Sequence, residues 1–415
     1  MRYLYTSLLY LMTPFIVLRL YWKSIRLPAY RQRIGERFSR HAVAPVDVWV
    51  HAVSLGEVVA ATPLIQSLLE RGLRVMVTTM TPTGSQQVVS RFGSRVSHQY
   101  VPYDLPWVVR RFFKAMNPRL GIIMETELWP NLNFQASQLK IPVLLVNARL
   151  SDKAFKQYEK VRFIFKPILN QLTRILAQSK EDARRFVALG AELSRVHAVG
   201  NLKFDMPPVV IDSALSTGFS NAWGKDRVVV IAASTHDNEE EQLLSRLAIL
   251  QLAIPHVLLL IAPRHPERFQ SVYQLCQHYP FKTGLRSKPE AIDVHSEVIV
   301  LDSLGELSMF YSLSDYAFVG GSLVPVGGHN VLEAIAMNVP VLCGPCMNNS
   351  QSVCDELCAA DAIEQAENAD DLIQKLIALH DNPQRREQQM KHALAVLQAN
   401  QGTLLRCMEE VESIL

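Results

Sequence analysis

Residues 315–343 read DYAFVGGSLVPVGGHNVLEAIAMNVPVLC, and how this stretch is parsed decides the fold. Residues 315–319 form an apolar run of strand length, and so do residues 339–343. Between them a loop with Gly327, Gly328, His329 and Asn330 runs into Val331, Leu332, Glu333 and Ala334, which open a helix. Strand, glycine-rich loop, helix and strand make up the repeating unit of a parallel sheet. The loop then sits at the carboxyl end of a strand, where ligands of such sheets bind. Glycines permit close backbone approach, the N–H groups of a first helical turn favour an anion, and Glu333 stands where a carboxylate accepts from ribose hydroxyls. The same residues equally suit a tight turn with a capped helix, so this loop alone leaves both readings open.

The rhythm extends outward over most of the chain. Apolar runs at 48–53, 75–79, 120–124, 143–146 and 175–178 alternate with amphipathic helical segments, and the pattern restarts at 228–233, 257–262, 298–301, 316–319 and 339–342. Residues 206–225, with Pro207, Pro208 and two glycines, interrupt it and read as a linker. The expected class is α/β, with two doubly wound, Rossmann-like domains at 23–205 and 226–415 and a cleft walled by the carboxyl ends of both sheets. A length of 415 residues fits two domains at about 100–200 residues each.

A net charge of +3, from 42 Lys and Arg against 39 Asp and Glu, argues against a nucleic-acid partner. The N-terminus differs from the rest. Residues 3–18 carry no charge, and Arg19, Lys23, Arg26, Arg31, Arg33, Arg37 and Arg40 follow, opposed only by Glu36. The apolar length approaches the roughly 20 residues of a bilayer span, the following basic cluster places the remainder in the cytoplasm, and no small-residue cleavage site marks a signal peptide. Residues 1–22 are therefore expected to be a membrane anchor helix, spanning the bilayer or lying on it and adding little to either core; a buried N-terminal helix is the alternative. Cys343 and Cys346 followed by Cys354 and Cys358 superficially resemble paired zinc ligands. Only seven residues separate the pairs, where zinc sites use about a dozen or more, so reduced thiols and no metal are expected.

Polar residues cluster where the strands should end. Ser54, Leu55, Gly56 and Glu57 follow the run 48–53, and Glu57 suits either a helix-dipole partner or a general base. Glu125 and Glu127 follow 120–124 and should project to one side if the chain stays extended. Pro263, Arg264, His265, Pro266, Glu267 and Arg268 follow 257–262; Arg264 there suits a phosphate or a surface pair with glutamate. Ser234, Thr235 and His236, and Ser303, Leu304, Gly305 and Glu306, repeat the arrangement. With the glycine loop, four strand ends in the second half carry such loops, and together they favour nucleotide binding.

Five motifs, SLGE (54–57), METELWP (124–130), GNLKFD (200–205), PRHPERF (263–269) and GGHNVLE (327–333), together resemble the 3-deoxy-D-manno-octulosonic acid (Kdo) transferases of lipopolysaccharide assembly, in family order over the whole chain. The resemblance implies a GT-B glycosyltransferase fold, CMP-Kdo as donor and a lipid A precursor, lipid IVA, as acceptor, at the cytoplasmic face of a Gram-negative inner membrane. It implies Glu57 as base and Glu127 and Lys203 as transition-state stabilisers, with CMP held by Pro263, Arg264, Leu304, Gly305, Glu306, Asn330, Val331, Leu332 and Glu333. No Asp-x-Asp metal motif accompanies these residues, and no cofactor is expected. The sequence departs from the family's usual pattern at Val331, where Pro is commoner, and at Leu304, where Met is. Competing expectations are another nucleotide-sugar transferase or epimerase of this fold, or a silent membrane-tethered nucleotide-binding protein.

Overall fold

The computed structural model describes residues 2–26, 31–41, 43–205 and 213–415. It divides into unit 1, residues 1–205 with 400–415, and unit 2, residues 206–399. Unit 1 holds β1 (Val48–His51), β2 (Val75–Thr79), β3 (Ser97–Tyr100), β4 (Leu120–Met124), β5 (Val143–Ala148), β6 (Arg174–Ala177) and β7 (Val196–Ala198), in the spatial order β3-β2-β1-β4-β5-β6-β7. Unit 2 holds β8 (Val229–Thr235), β9 (Leu258–Pro263), β10 (Thr283–Leu285), β11 (Val298–Val300), β12 (Tyr316–Val319), β13 (Val341–Cys343) and β14 (Glu364–Gln365), in the order β10-β11-β9-β8-β12-β13-β14. Neighbouring strands in both sheets run parallel. Strand order reverses between β1 and β4 in unit 1 and between β8 and β12 in unit 2, and ligand crevices open at such reversals.

Helices cover both sheet faces. In β1, Val48 and Val50 face a core shared with the helices Leu55–Glu70 and Thr403–Glu412, while Trp49 faces the core of the helices Pro106–Met116 and Pro130–Gln138. The inner strands match the apolar runs of the sequence. The four strands absent from the sequence reading, β3, β7, β10 and β14, are the four sheet edges, where half-exposed polar positions replace a continuous apolar run.

Three boundaries need correction. Residues 400–415 belong to unit 1 and not to the second domain: Cys407, Met408 and Val411 are buried in its core, and Asp205 accepts from Gly402 N (2.9 Å) and Leu404 N. The expected linker is structured over Ser213–Trp223, a helix whose Phe219 and Trp223 stack and whose Phe219 meets Phe310 at 5.3 Å; residues 206–212 lie outside the described residues. The N-terminal helix runs over Arg2–Arg26, and its Leu9, Ile16 and Leu20 pack against Tyr103, Leu105 and Val108, so the segment is not set apart from unit 1.

Two members of the basic cluster also point inward. Arg33 donates to Glu36 (2.7 Å), Ser85 (3.1 Å) and the His98 carbonyl (3.1 Å). Arg37, 1% exposed, donates to the Met80 carbonyl (3.0 Å) and lies 4.2 Å over the Tyr100 ring. They tie the 3-10 turn Ile34–Phe38 to the ends of β2 and β3.

Asp205→Ala is expected to destabilise unit 1 by about 1–3 kcal/mol, because two backbone donors of the C-terminal return lose their acceptor. Asp205→Asn, which keeps one acceptor oxygen, should lose less. Thermal midpoints of the three proteins decide it; equal midpoints would remove the clamp.

Candidate active site

In unit 1 the site grows from a helix cap. Ser54 Oγ accepts from Glu57 N (3.4 Å), and the Glu57 carboxylate accepts from Ser54 Oγ (2.9 Å) and Val53 N (2.9 Å). This reciprocal box fixes the Glu57 rotamer at the carboxyl end of β1. The capping role is therefore real, and it does not exhaust the group. Glu57 is 6% exposed, and burial pushes its carboxyl up to about 7, a rise opposed by the Val53 N–H and reinforced by the charges of Glu125 and Glu127. A carboxylate titrating near neutrality at a strand reversal is suited to general-base work.

Glu125 and Glu127 do not share an extended side. Glu125 adopts φ 55°, in the left-handed region, which turns the chain after β4, and the two carboxylates take different partners while the charge of Glu125 still acts on Glu127. Glu125 pairs with Lys203 Nζ at 3.6 Å, while Glu127 accepts from Trp129 Nε1 at 2.8 Å and is held above the usual carboxylate range by burial. Trp129 stands edge-on to His51 (5.4 Å), whose ring burial keeps neutral by lowering its pKa to about 4. Lys203 lies in the 3-10 turn Leu202–Phe204, whose backbone is gripped by Asn201 Oδ1 (3.1 Å to Lys203 N) and Asn147 Oδ1 (3.0 Å to Leu202 N). The fold thus gathers Glu57, Glu125, Glu127 and Lys203 at the ends of β1, β4 and β5.

In unit 2 the organiser is a residue that the sequence reading overlooked. Glu239 is fully buried, and its carboxylate accepts from His236 N (2.9 Å), Gly321 N (2.7 Å), Ser322 N (3.0 Å) and Leu323 N (3.0 Å). It staples the loop after β8 to the loop after β12 across the strand reversal. The signal available was its position three residues after His236, inside an acidic run that looks like an exposed helix start. Gly320 is required beside it, since a Cβ there would lie 2.7 Å from the Ser234 carbonyl.

The arginines divide their roles. Arg268 grips buried Glu240 with two bonds (2.8 and 3.0 Å) and pairs with Asp237 (2.7 Å). Arg264, four residues earlier, spends only its backbone N–H, on the Thr235 carbonyl (3.0 Å); its side chain is exposed and makes no ion pair among the described residues. The arginine–glutamate pair expected as one option for Arg264 belongs to Arg268, and the free guanidinium is Arg264. Its charge reaches Glu333, whose carboxyl is raised by burial against that pull and which accepts from Asn330 Nδ2 (3.2 Å).

The glycine loop folds back on Gly321, whose carbonyl accepts from Gly327 N (3.1 Å) and Gly328 N (2.7 Å). His329 Nε2 meets His236 Nε2 at 2.8 Å with ring planes 5° apart, and burial keeps both imidazoles neutral, His329 near pKa about 4. The helix that follows is short, Leu332–Ala336, and Asn330 Oδ1 already accepts its Leu332 N–H (3.1 Å). In the loop after β11, Leu304 is exposed and Gly305 takes φ 82°. Glu306 is held by Arg286 (2.6 Å twice) and Ser303; burial alone would raise its carboxyl, and these partners bring it below the usual range. The Glu306 side chain is thereby occupied, whereas that of Leu304 is open.

Comparison with known proteins bears on the chain as a whole. A family model described as 3-deoxy-D-manno-octulosonic-acid transferase (kdotransferase) matches residues 31–206. The 3-deoxy-D-manno-octulosonic acid transferase of Haemophilus influenzae is 37% identical over 423 residues, covering 100% of this chain and 99% of that protein. The chain belongs to the Kdo transferase family. The Bordetella pertussis transferase is 36% identical over 94% of this chain and 91% of its own length. Among solved structures, MnaA from S. aureus with UDP shares the fold at 13% identity, with a TM-score of 0.52 over 88% of this chain and 96% of that one. As a Kdo transferase the protein is a glycosyltransferase, which sets aside both the epimerase and the silent binder.

The raised carboxyl of Glu57 has a consequence for the stability of the transferase. A folded pKa of about 7 against an ordinary 4.5 means stability that is full below 4.5 and lost as pH rises through 7. Glu57→Gln removes that loss, so the melting temperature of the variant minus that of the wild type should grow from about pH 5 to about pH 8. A difference that stays constant over this range would contradict the raised pKa.

Proposed function

We propose that this transferase moves Kdo from CMP-Kdo to a primary hydroxyl of a phosphorylated glucosamine disaccharide, the lipid A precursor lipid IVA, with inversion at the anomeric carbon. The observation that carries this reading is the contrast between a near-neutral, buried Glu57 in unit 1 and an uncommitted Arg264 whose charge reaches Glu333 in unit 2. Unit 1 supplies the base and unit 2 the nucleotide site. The acceptor oxygen attacks the anomeric carbon, the bond from that carbon to the phosphate oxygen breaks, and CMP leaves with the electron pair. The hydroxyl proton passes to Glu57 as the new glycosidic bond forms.

Charge on the departing phosphate is offset by Arg264 and by the backbone around Asn330, Val331 and Leu332, while Pro263 shapes the entry to that loop. Glu333 accepts from the ribose hydroxyls, and Leu304, Gly305 and Glu306 contribute backbone to the nucleotide. Glu127 and Lys203 stabilise the transition state at the transferred sugar. Each well-placed donor at such a site is worth about 2.7–4 kcal/mol, enough to make a metal unnecessary. A lipid acceptor implies a membrane, and the basic residues after the apolar N-terminal segment favour the cytoplasmic face of the inner one.

Mass spectrometry of products from CMP-Kdo, compared with UDP-sugars, on a tetra-acylated precursor tests donor and acceptor together; transfer from UDP-sugars alone would overturn the reading. Glu57→Gln is expected to abolish transfer with CMP affinity within a few-fold of wild type, and near-normal turnover would remove the base assignment. Arg264→Ala and Glu333→Ala should each weaken CMP binding by calorimetry, with Arg264→Lys a poor rescue if the contact is bidentate. Transfer should survive exhaustive chelation; its loss, restored by a divalent cation, would replace the metal-free account.

A further inference from the structure

Two histidines that the donor and acceptor assignment leaves unused meet between its phosphate contacts. His236 follows β8, and His329 ends the glycine loop one residue before Asn330. Their Nε2 atoms stand 2.8 Å apart with ring planes 5° apart. The fold builds this contact. Buried Glu239 fixes the backbone on both sides of it, through His236 N (2.9 Å) and Gly321 N (2.7 Å). Gly321, at φ 69°, leaves the space that the rings fill: a Cβ there would lie 3.1 Å from His329 Cδ2 and 3.3 Å from His236 Cδ2.

A nitrogen-to-nitrogen contact this short holds one proton. With none, two lone pairs oppose each other; with two, the N–H groups collide. In the neutral pair one ring donates through Nε2 and carries a lone pair on Nδ1, while the other accepts and keeps its own proton on Nδ1. One further proton goes to that outer lone pair. It leaves the shared bond intact and gives the two rings a single positive charge.

The groups around the pair decide when that proton is held. Arg264 and His265 come from the loop after β9: Arg264 N is tied to the Thr235 carbonyl (3.0 Å), beside His236, and the His265 ring stands edge-on to His236 at 5.3 Å. Arg268 is paired with Glu240 and Asp237, Glu239 is occupied by four backbone N–H groups, and Glu333 lies within reach of the Arg264 charge. Burial, helped by the neighbouring cations, holds both imidazoles below their ordinary pKa. A phosphate dianion at Arg264 reverses that balance, since it offsets the guanidinium and favours a positive pair. We infer that the His236–His329 pair belongs to the phosphate site of unit 2 and gains one proton when a nucleotide monophosphate binds at Arg264. The inference rests on the nucleotide assignment of unit 2 and adds to it a response to charge. A phosphate joined to sugar carries one charge, and the released monoester carries two. The pair gains its proton as the second charge appears and returns it to solvent when the nucleotide leaves, so none is consumed over a turnover.

Calorimetry of CMP binding to the full chain at about pH 7.5, repeated in buffers of different ionisation enthalpy, counts the protons exchanged. The CMP phosphate, with a second pKa of about 6, is already a dianion there, so an expected uptake of about one proton per CMP is the protein's own. Cytidine, which lacks the phosphate, should bring none. His236→Gln combined with His329→Gln keeps a donor and an acceptor but holds no charge. This double variant should lose the uptake and bind CMP about tenfold more weakly, as a bound-state pKa one unit above the working pH implies. His265→Gln should keep the uptake. Where the double variant does not fold, His329→Gln alone should lower the count, and an unchanged count would overturn the inference. CMP binding without uptake, or uptake that survives in the double variant, would also overturn it and leave the nucleotide assignment standing. A wild type that does not bind CMP at all would overturn both.

Discussion

Buried carboxylates that collect backbone N–H groups hold this structure together. A parallel sheet ends in loops whose N–H groups leave the ladder, and every such group buried without an acceptor costs about 1–3 kcal/mol. Asp104 takes the first N–H groups of the helix Pro130–Gln138, Asn131 at 3.0 Å and Leu132 at 2.6 Å. Asp182 takes Leu150 N at 2.8 Å, Glu36 takes Tyr100 N at 2.8 Å, and Glu239 takes four. These residues set the paths of the loops that carry function. Glu57 belongs to the same class but is given one backbone donor and one hydroxyl, with Glu125 and Glu127 for neighbours. Asp182 is held in the same way, by Leu150 N and the Ser179 hydroxyl, so what sets Glu57 apart is burial beside two like charges.

The inner strands were legible because a strand buried on both faces must be apolar throughout. The edges were not, since Ser97–Tyr100 and Glu364–Gln365 need bury little and so leave no run to read. The site was legible at the level of motifs, since Ser54 to Glu57 and the loop ending in Glu333 fall at the strand reversals where such chains bind ligands. Division of labour within a motif was not. Arg264 and Arg268 are chemically equal in sequence, and only buried Glu240, far from both in the chain, reveals which one is already occupied. The shared side expected of Glu125 and Glu127 was conditional on an extended chain, and the left-handed backbone of Glu125 removes that condition.

The N-terminal segment shows a third kind of illegibility. Its residues pass for a membrane span because Tyr and Thr are tolerated in one, and nothing in the sequence says that Tyr5 and Thr6 have protein partners. What distinguishes a docked helix from a free one is the far side of the contact, Asp104 and Asn131, about a hundred residues away.

The closing helix Thr403–Glu412 has a cost that falls before the enzyme ever works. Its Cys407, Met408 and Val411 share a core with Val58, Leu64 and Leu68 of the helix Leu55–Glu70 in the first unit, yet it follows all of unit 2 in the chain. Unit 2 must be synthesised in the interval, and at 5–20 residues per second that takes ~10–40 s. Throughout it the first core lacks the side chains of Cys407, Met408 and Val411. A discontinuous domain thus leaves the first core open until the segment beyond unit 2 has been made and has returned to it.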